Sequence, residues 1–457
     1  MPDFDAIIIG AGQAGPALAL RLGQAGRKVA IVERDLVGGT CVNTGCTPTK
    51  TLVASAHAAH MVRRAGEYGV TIDSPVTVDM KRVMARKDQV VLHSRHGLKA
   101  ALEADPNVTL RRGHARFLSP REVRVGAETL VADLIFINVG GRAATPPIAG
   151  LAGIDYLTNS SLMDLAILPR HLVIVGGSYI GLEFGQMYRR FGSAVTIVET
   201  GPRLIQREDE DVSEAIRVIL EAEGIKIRLN APCIAVEKHG GGVAVKVDCS
   251  DGPPDIEGSH LLLAVGRRPN TDDLGLDAAG VATDARGYVV VDDQLATNVP
   301  GIFALGDCNG KGAFTHTAYN DHEIVAANLL DGGRRGVSDR IDTYALYIDP
   351  PLGRAGMTVA QAQKAGRSVL VGSRPMTRVA RAVEKGETQG FMKIAVDAET
   401  NAILGAAILG PGGDEVVHGV LDMMIAKAPA SLLAEAMHIH PTVSELVPTM
   451  LGDLRPA

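Results

Sequence analysis

The chain has no tryptophan and only five cysteines in 457 residues. So few cysteines cannot form the disulfide framework that holds small secreted domains together. None pairs as CxxC and no histidine cluster accompanies them, so a zinc site lacks ligands. No run approaches the ~18 apolar residues that a membrane helix needs. The opening MPDFDAIIIG has no basic segment ahead of a long apolar one, so no signal peptide is expected. There is no dense Lys/Arg tract, and the net charge is −6. Nothing in that balance attracts nucleic acid or an anionic membrane surface. These absences lead to the expectation of a cytoplasmic globular protein, in a compartment that keeps thiols reduced.

What is abundant is glycine, with 52 residues, set among mixed apolar runs. That combination favours an α/β protein with many tight strand–helix turns, and the length allows two to four domains. Ala6-Ile7-Ile8-Ile9 reads as a short buried strand running into Gly10-Ala11-Gly12-Gln13-Ala14-Gly15. A helix through Leu22 and a second strand, Val29–Val32, follow, and Glu33 ends it. This is the dinucleotide fingerprint. Gly10 permits the tight turn, Gly12 lets backbone approach a pyrophosphate, and Gly15 lets the helix pack on the strand. The helix N-terminus offers free N–H groups to phosphate, and Glu33 accepts from ribose hydroxyls.

The same pattern returns 166 residues later. Leu172–Val175 is the strand, Gly176-Gly177-Ser178-Tyr179-Ile180-Gly181 the turn, and Val195–Val198 the second strand, ended by Glu199. Gly26 recurs as Gly192. One Gly-rich turn is weak evidence, but two in the same frame with an acid at the same offset predict two dinucleotide sites. One suits a permanently held flavin, FAD, and the other a nicotinamide that comes and goes. Ser178 departs from the pattern, standing where the middle glycine belongs.

Between the copies lies GTCVNTGCTPTK, with Cys41 and Cys46 five positions apart. Metal ligands, a structural staple and a redox couple are the three readings of such a pair. Five residues rise about 7.5 Å along a regular helix, beyond the ~7 Å that bonded cysteines allow between Cα atoms. A bent entry turn meets that limit, and Asn43 and Gly45 tolerate unusual backbone angles. Pro48 then suits a first helical turn, which places Cys46 near a helix N-terminus that favours a thiolate. In a reducing compartment, a bond between the two reads as one cycled by catalysis.

These motifs, in this order, resemble the flavoprotein disulfide reductases, the family of glutathione reductase, lipoamide dehydrogenase and mercuric reductase. Further markers are Gly113-His114-Ala115-Arg116-Phe117, Ala264-Val265-Gly266-Arg267, Gly301 to Asp307 (GIFALGD) and His440 to Glu445 (HPTVSE). The segment TPTK looks closest to the mercuric-reductase-like branch. The resemblance implies two Rossmann-like domains and a C-terminal α+β dimerisation domain. It divides the chain into an FAD domain over 1–148, an NAD(P)H domain over 149–268, a return to the FAD domain over 269–336 and a dimerisation domain over 337–457. The loops 144–150 and 332–336 suit the first and last boundaries.

The resemblance also implies roles. Cys41 is the interchange thiol, and Cys46 the thiol facing the flavin, able to form a charge-transfer pair with it. Lys50 lies by the flavin and pairs with Glu183. Gly39, Thr40, Ala115, Gly140, Gly306 and Asp307 complete the FAD site. Gly176, Ser178, Gly181, Glu199 and Gly266 belong to the nicotinamide site, where Tyr179 covers the pocket. His440, oriented by Glu445, is the proton shuttle, and it reaches the cysteines of the other subunit of a homodimer. His438 is given a supporting part. Cys233 and Cys249 read as buried or inert thiols, and Cys308 receives no role.

A carboxylate at Glu199 favours NADH, while Arg203 and Arg207 leave NADPH open. The expected substrate is a small disulfide or dithiol, such as lipoamide. The chain keeps His440 and ends LGDLRPA with no cysteine after Cys308, which argues against efficient mercury reduction and against a C-terminal redox relay. A metal-ion, quinone or oxygen reductase is the alternative enzyme, and a redox sensor docked to a larger assembly the alternative of another class. Asp349, in TYALYIDPP, stands where the family usually has a small hydroxyl residue.

Overall fold

Isoleucine and valine crowd the segments that bracket each glycine turn. The computed structural model, which describes residues 3–248 and 252–457, folds them into almost wholly buried strands. Cys249 lies outside the described residues. Strand β1 (Phe4–Ile9), helix α1 (Ala14–Gln24) and strand β2 (Val29–Glu33) form the first unit. β1 and β2 pair in parallel, from Ala6 opposite Val29 to Ile9 opposite Val32. Helices α2 (Gly39–Asn43), α3 (Cys46–Arg63) and α4 (Met80–Ala104) follow. Strands β3 (Val108–Arg112), β4 (Ala115–Ser119), β5 (Glu122–Val125) and β6 (Glu128–Ile137) complete the sheet in the order β3-β2-β1-β6-β5-β4. The chain returns to it much later, where β11 (Ile302–Ala304) pairs with β6 in parallel.

The second unit repeats the first. Strand β7 (His171–Val175), helix α5 (Tyr179–Phe191) and strand β8 (Ala194–Val198) lead to helix α6 (Glu210–Ala222). With β9 (Lys226–Arg228) and β10 (His260–Leu263) they make a parallel sheet in the order β9-β8-β7-β10. The repeat extends to the backbone. Gly10 and Gly176 have φ of +105° and +119°, and a Cβ on either would fall 2.2 Å or 2.4 Å from the carbonyl oxygen of Asn138 or Ala264. A Cβ on Gly15 or Gly181 would fall 2.3 Å or 2.1 Å from the carbonyl oxygen of Gly10 or Gly176. Helix and turn touch at both places, so only glycine fits.

The last part opens with β12 (Thr343–Leu346) and β13 (Leu352–Gly356). Among the described residues they belong to a six-stranded antiparallel sheet with Ile403–Leu409, Phe391–Asp397, Val369–Pro375 and Arg455–Pro456. The architecture is thus α/β, with two Rossmann-like units and a C-terminal α+β part. Segments 144–148 and 333–336 are irregular. No helix among the described residues is long and apolar enough to cross a membrane.

One core ties these parts together. Leu52 of α3 and Met80 and Met84 of α4 pack in one cluster with Leu172, Ile174 and Leu182 of the second unit and with Leu346 and Ile348. Leu346 and Ile348 are 0% and 2% exposed, and such burial is worth about 1.5–3 kcal/mol per side chain. This packing brings α3, which begins at Cys46, against α5, which begins at Tyr179.

Candidate active site

The cysteine segment bends as the spacing requires. α2 ends at Asn43, and α3 begins at Cys46 with Pro48 in its first turn, where a missing N–H goes unneeded. Asn43 itself is helical, so the bend is carried by Thr44 and Gly45, at φ −141° and −129°. Asn43 pins the bend from within, its amide donating to the carbonyls of Val37 and Gly39 at 3.1 and 2.9 Å. Arg95 of α4 holds the same side chain from outside, at 2.7 Å.

Cys41 and Cys46 are free thiols that share a hydrogen bond. That bond is the main reason the Cys46 thiol falls to about 6, with the Thr315 hydroxyl and the Lys50 charge assisting against burial. Its counterpart, Cys41, is pushed up by the same bond and by burial. The pair therefore shares one proton near neutrality, with the negative charge favoured on Cys46. The Thr315 hydroxyl lies 3.1 Å from the Cys46 sulfur. One α3 turn after Cys46, Lys50 Nζ lies 2.5 Å from Glu183 Oε2 of α5. Glu183 is only 4% exposed, and its other oxygen accepts the Tyr347 N–H at 3.0 Å.

All of this opens on a cavity of about 1030 Å³. Of the predicted cofactor residues, Gly10, Gly12, Glu33, Gly39, Thr40, Lys50, Ala115, Gly140, Tyr179, Glu183, Gly306 and Asp307 line it, together with Cys41 and Cys46. Gly15 stands behind its wall, in contact with Gly10. The donor set suits FAD. A Cβ on Gly39 would come 2.8 Å from Gly12 Cα, so two stretches of bare backbone form a narrow cradle. Glu33 accepts the N–H groups of Ala11 and Asp35 at 2.8 Å each and still faces the cavity. Burial pushes the Asp307 carboxyl up, and Arg267, 3.6 Å away, opposes it.

Gly176, Ser178, Gly181, Glu199 and Gly266 do not line this cavity. They belong to the second unit, where Gly176, Ser178 and Gly181 make its strand–helix turn. Glu199 accepts the N–H groups of Gly177 and Gly201 at 2.7 Å each, the arrangement Glu33 has in the first unit. Arg203 donates to the Gln206 carbonyl at 3.2 Å. Arg207 lies over the rings of Phe314 and Tyr344, 5.7 and 5.0 Å from their centroids. Phe314 also packs against Tyr179, with centroids 5.6 Å apart.

His440 and Glu445 form their expected pair, 2.9 Å apart, yet lie outside the cavity of their own chain. The imidazole is 76% exposed and the Glu445 carboxylate 11%. His438 Nδ1 sits 2.7 Å from the Ser444 carbonyl. Cys308 is fully buried, bonded to the Leu305 carbonyl, and burial pushes its thiol up to about 12. Cys233 is half-buried and also pushed up by burial.

The comparisons with known proteins fit this geometry. Residues 4–321 match the model of the pyridine nucleotide-disulphide oxidoreductases, and residues 343–451 match the dimerisation domain of the same proteins. The chain belongs to this family. FAD and a pyridine nucleotide are its cofactors. The chain is 36% identical over 453 residues to the "Probable pyridine nucleotide-disulfide oxidoreductase RclA" of Escherichia coli, covering 97% of this chain and 98% of that one. It is 34% identical to the dihydrolipoyl dehydrogenase of Thermus scotoductus, covering 97% and 96%. The solved Cu(II) complex of the HOCl-induced flavoprotein disulfide reductase RclA from Escherichia coli superposes with a TM-score of 0.88 at 36% identity, covering 98% and 99%.

Thr315, Tyr347 and Asn138 were missed by the motifs. Thr315 stands only eight residues after Asp307 in the chain, but nothing local marks its approach to the Cys46 sulfur.

Proposed function

We propose that the protein carries a hydride from NADH to a small disulfide through FAD and the Cys41–Cys46 pair. NADH, a proton and a disulfide become NAD+ and two thiols. The observation that carries this reading is the Cys41–Cys46 pair on the wall of a glycine-cradled cavity, beside the Lys50–Glu183 ion pair. FAD, when bound, accepts the hydride and returns two electrons to sulfur. Gly10, Gly12 and Glu33 would hold its nucleotide end, with Gly39, Thr40, Ala115, Gly140, Gly306 and Asp307 along its length, and Lys50 with Glu183 at the reacting end. Cys41 attacks the substrate disulfide and forms a mixed disulfide. Cys46 then displaces the second product thiol and closes the intramolecular bond.

Cys41 must lose its proton to attack and the leaving thiolate must gain one, and His440, its ring held by Glu445, is the candidate that takes the first and returns it to the second. Its exposure outside its own cavity supports a homodimer in which it serves the partner subunit's cysteines. The four-part division, with boundaries at 148, 268 and 336, belongs to the same reading. Glu199 supports NADH over NADPH, because its carboxylate would repel a 2′-phosphate, while Arg203 and Arg207 are engaged elsewhere. A location in the cytoplasm suits a dithiol that must be kept reduced.

A second reading takes a metal ion as the electron acceptor. The Cu(II) complex of the RclA neighbour favours it. Among the described residues no three His, Cys, Asp or Glu side chains converge to hold a metal, so such an ion would be a passing substrate, taking its electrons directly from the flavin. Cys41→Ser separates the readings. Disulfide reduction should fall by at least ~10³-fold with FAD content unchanged. Reduction of a metal ion, a quinone or oxygen directly from the flavin should persist. Disulfide turnover at wild-type rate in this variant would end the primary reading.

A further inference from the structure

Two helices and one short segment meet twice at matching spacings. On α3, Lys50 and His57 are seven residues apart, and on α5 so are Glu183 and Arg190. Seven residues are nearly two turns, so each pair shares a helix face. On the segment beyond β12, Tyr347 and Asp349 are two residues apart. The first rung is Lys50–Glu183 at 2.5 Å, with Tyr347 donating to Glu183 and its ring centroid 4.4 Å from the Lys50 ammonium. The second rung is centred on Asp349. Its Oδ2 lies 2.8 Å from His57 Nδ1 and 2.5 Å from Arg190 Nη1. Between the rungs, Gln186 exchanges two bonds with the Asp349 backbone, both 2.7 Å.

The second rung is anchored by a buried guanidinium. The Arg190 side chain is 5% exposed and is also held by Glu223 at 2.7 and 2.9 Å. Burial works to raise the Asp349 carboxyl, and the His57 bond and the Arg190 charge outweigh it, holding it well below the usual carboxylate range. A serine or threonine here would carry no charge and could not bind both cations.

We propose that Asp349 is a positioning residue for the Lys50–Glu183 pair, clamping α3 to α5 through His57 and Arg190 so that the Lys50 ammonium is fixed where it acts. This rests on the reading of Lys50 as the lysine beside the flavin. The clamp responds to pH. The Asp349 bond raises the His57 value, against burial and the Arg190 charge, and Glu387 adds to it. His60, one turn along α3, and Glu223, behind Arg190, are the other titratable groups of the cluster. The His57 contribution to the hold is therefore complete below the ordinary imidazole value of about 6.5 and is lost as pH rises through the raised one, while the Arg190 bond remains.

The test is an anaerobic redox titration of the FAD-loaded protein, read from flavin absorbance across ~pH 6 to 9. Lys50→Met should make the potential more negative. Asp349→Ser should move it the same way by less, about three- to tenfold in the redox equilibrium, or about 14–30 mV for two electrons. It should also erase a pH-dependent step that His57→Gln, at an exposed side chain, erases too. If Lys50→Met shifts the potential while Asp349→Ser and His57→Gln both follow the wild type, the clamp is overturned and the reading of Lys50 stands. If Lys50→Met changes nothing, that reading falls and the clamp with it. Should Asp349→Ser fail to fold, His57→Gln decides alone, by losing or keeping the step.

Discussion

The two nucleotide units share a turn, a helix packing and a terminal acid, yet they are braced differently. Beneath the first turn, Asn138 is 5% exposed and donates to the Gly10 carbonyl at 3.0 Å. At the matching place beneath the second turn stands Ala264, which has no side chain to donate. After its acid, the first unit runs into the bent α2–α3 segment that roofs a cavity, whereas the second runs into the loop 199–209 and then α6. Gly12 offers bare backbone where Ser178 offers a hydroxyl. These differences fit the two purposes proposed for the one motif. A braced, roofed turn suits a dinucleotide that stays, and an open, unbraced one suits a dinucleotide that leaves.

Removing the brace should give the largest effect. Asn138→Ala leaves the half-buried Gly10 carbonyl without its partner, at a cost of about 0.5–1.5 kcal/mol. FAD should dissociate about tenfold more readily, measured by flavin fluorescence on dilution, while the KM for NADH stays unchanged. FAD held as tightly as in the wild type would erase the distinction between the turns.

The bent segment offers a second test, because the loop 199–209 that follows the second acid carries no cysteine. The Cys46 value is depressed to about 6, so its thiolate is present above that pH and lost as pH falls through it. Alkylation of Cys46 in the reduced protein, followed by mass spectrometry, should show a midpoint near that value. In Cys41→Ala the main cause of the depression is gone, and the midpoint should move upward. Equal midpoints in both proteins would mean that the bend does not couple the sulfurs.

Much of this was legible in the chain because it is local. The glycine turns, the acids that close them and the bend at Cys46 depend on residues within one βαβ unit or one helix entry. The Lys50–Glu183 pair spans 133 positions and came from resemblance to a family, not from any pattern in the residues. Thr315 at the Cys46 sulfur, Tyr347 beneath Lys50 and the Asp349 clamp escaped notice. Each depends on α3, α5 and the start of the C-terminal sheet packing into one core, and no period in the sequence encodes that meeting. Cys308 follows the GIFALGD motif closely, but its side chain points to the Leu305 carbonyl in the interior. Exposure of His440 outside its own chain's cavity fits the proposed homodimer.

The smallest expected effect concerns Ser178. It begins α5 with extended backbone, φ −104° and ψ −178°, and its hydroxyl caps nothing within the chain. If the second turn binds a dinucleotide as the first does, that hydroxyl lies where pyrophosphate would approach, and it both crowds and donates. The donated bond is worth about 0.5–1.5 kcal/mol, and the crowding subtracts from it. Ser178→Gly should therefore change the KM for NADH by about threefold at most, with kcat and FAD content untouched. A tenfold change, in either direction, would show that the two turns do not hold their dinucleotides in the same way. The Glu199 carboxylate should keep NADPH the poorer donor in both proteins, since it acts on the ribose and not on the pyrophosphate.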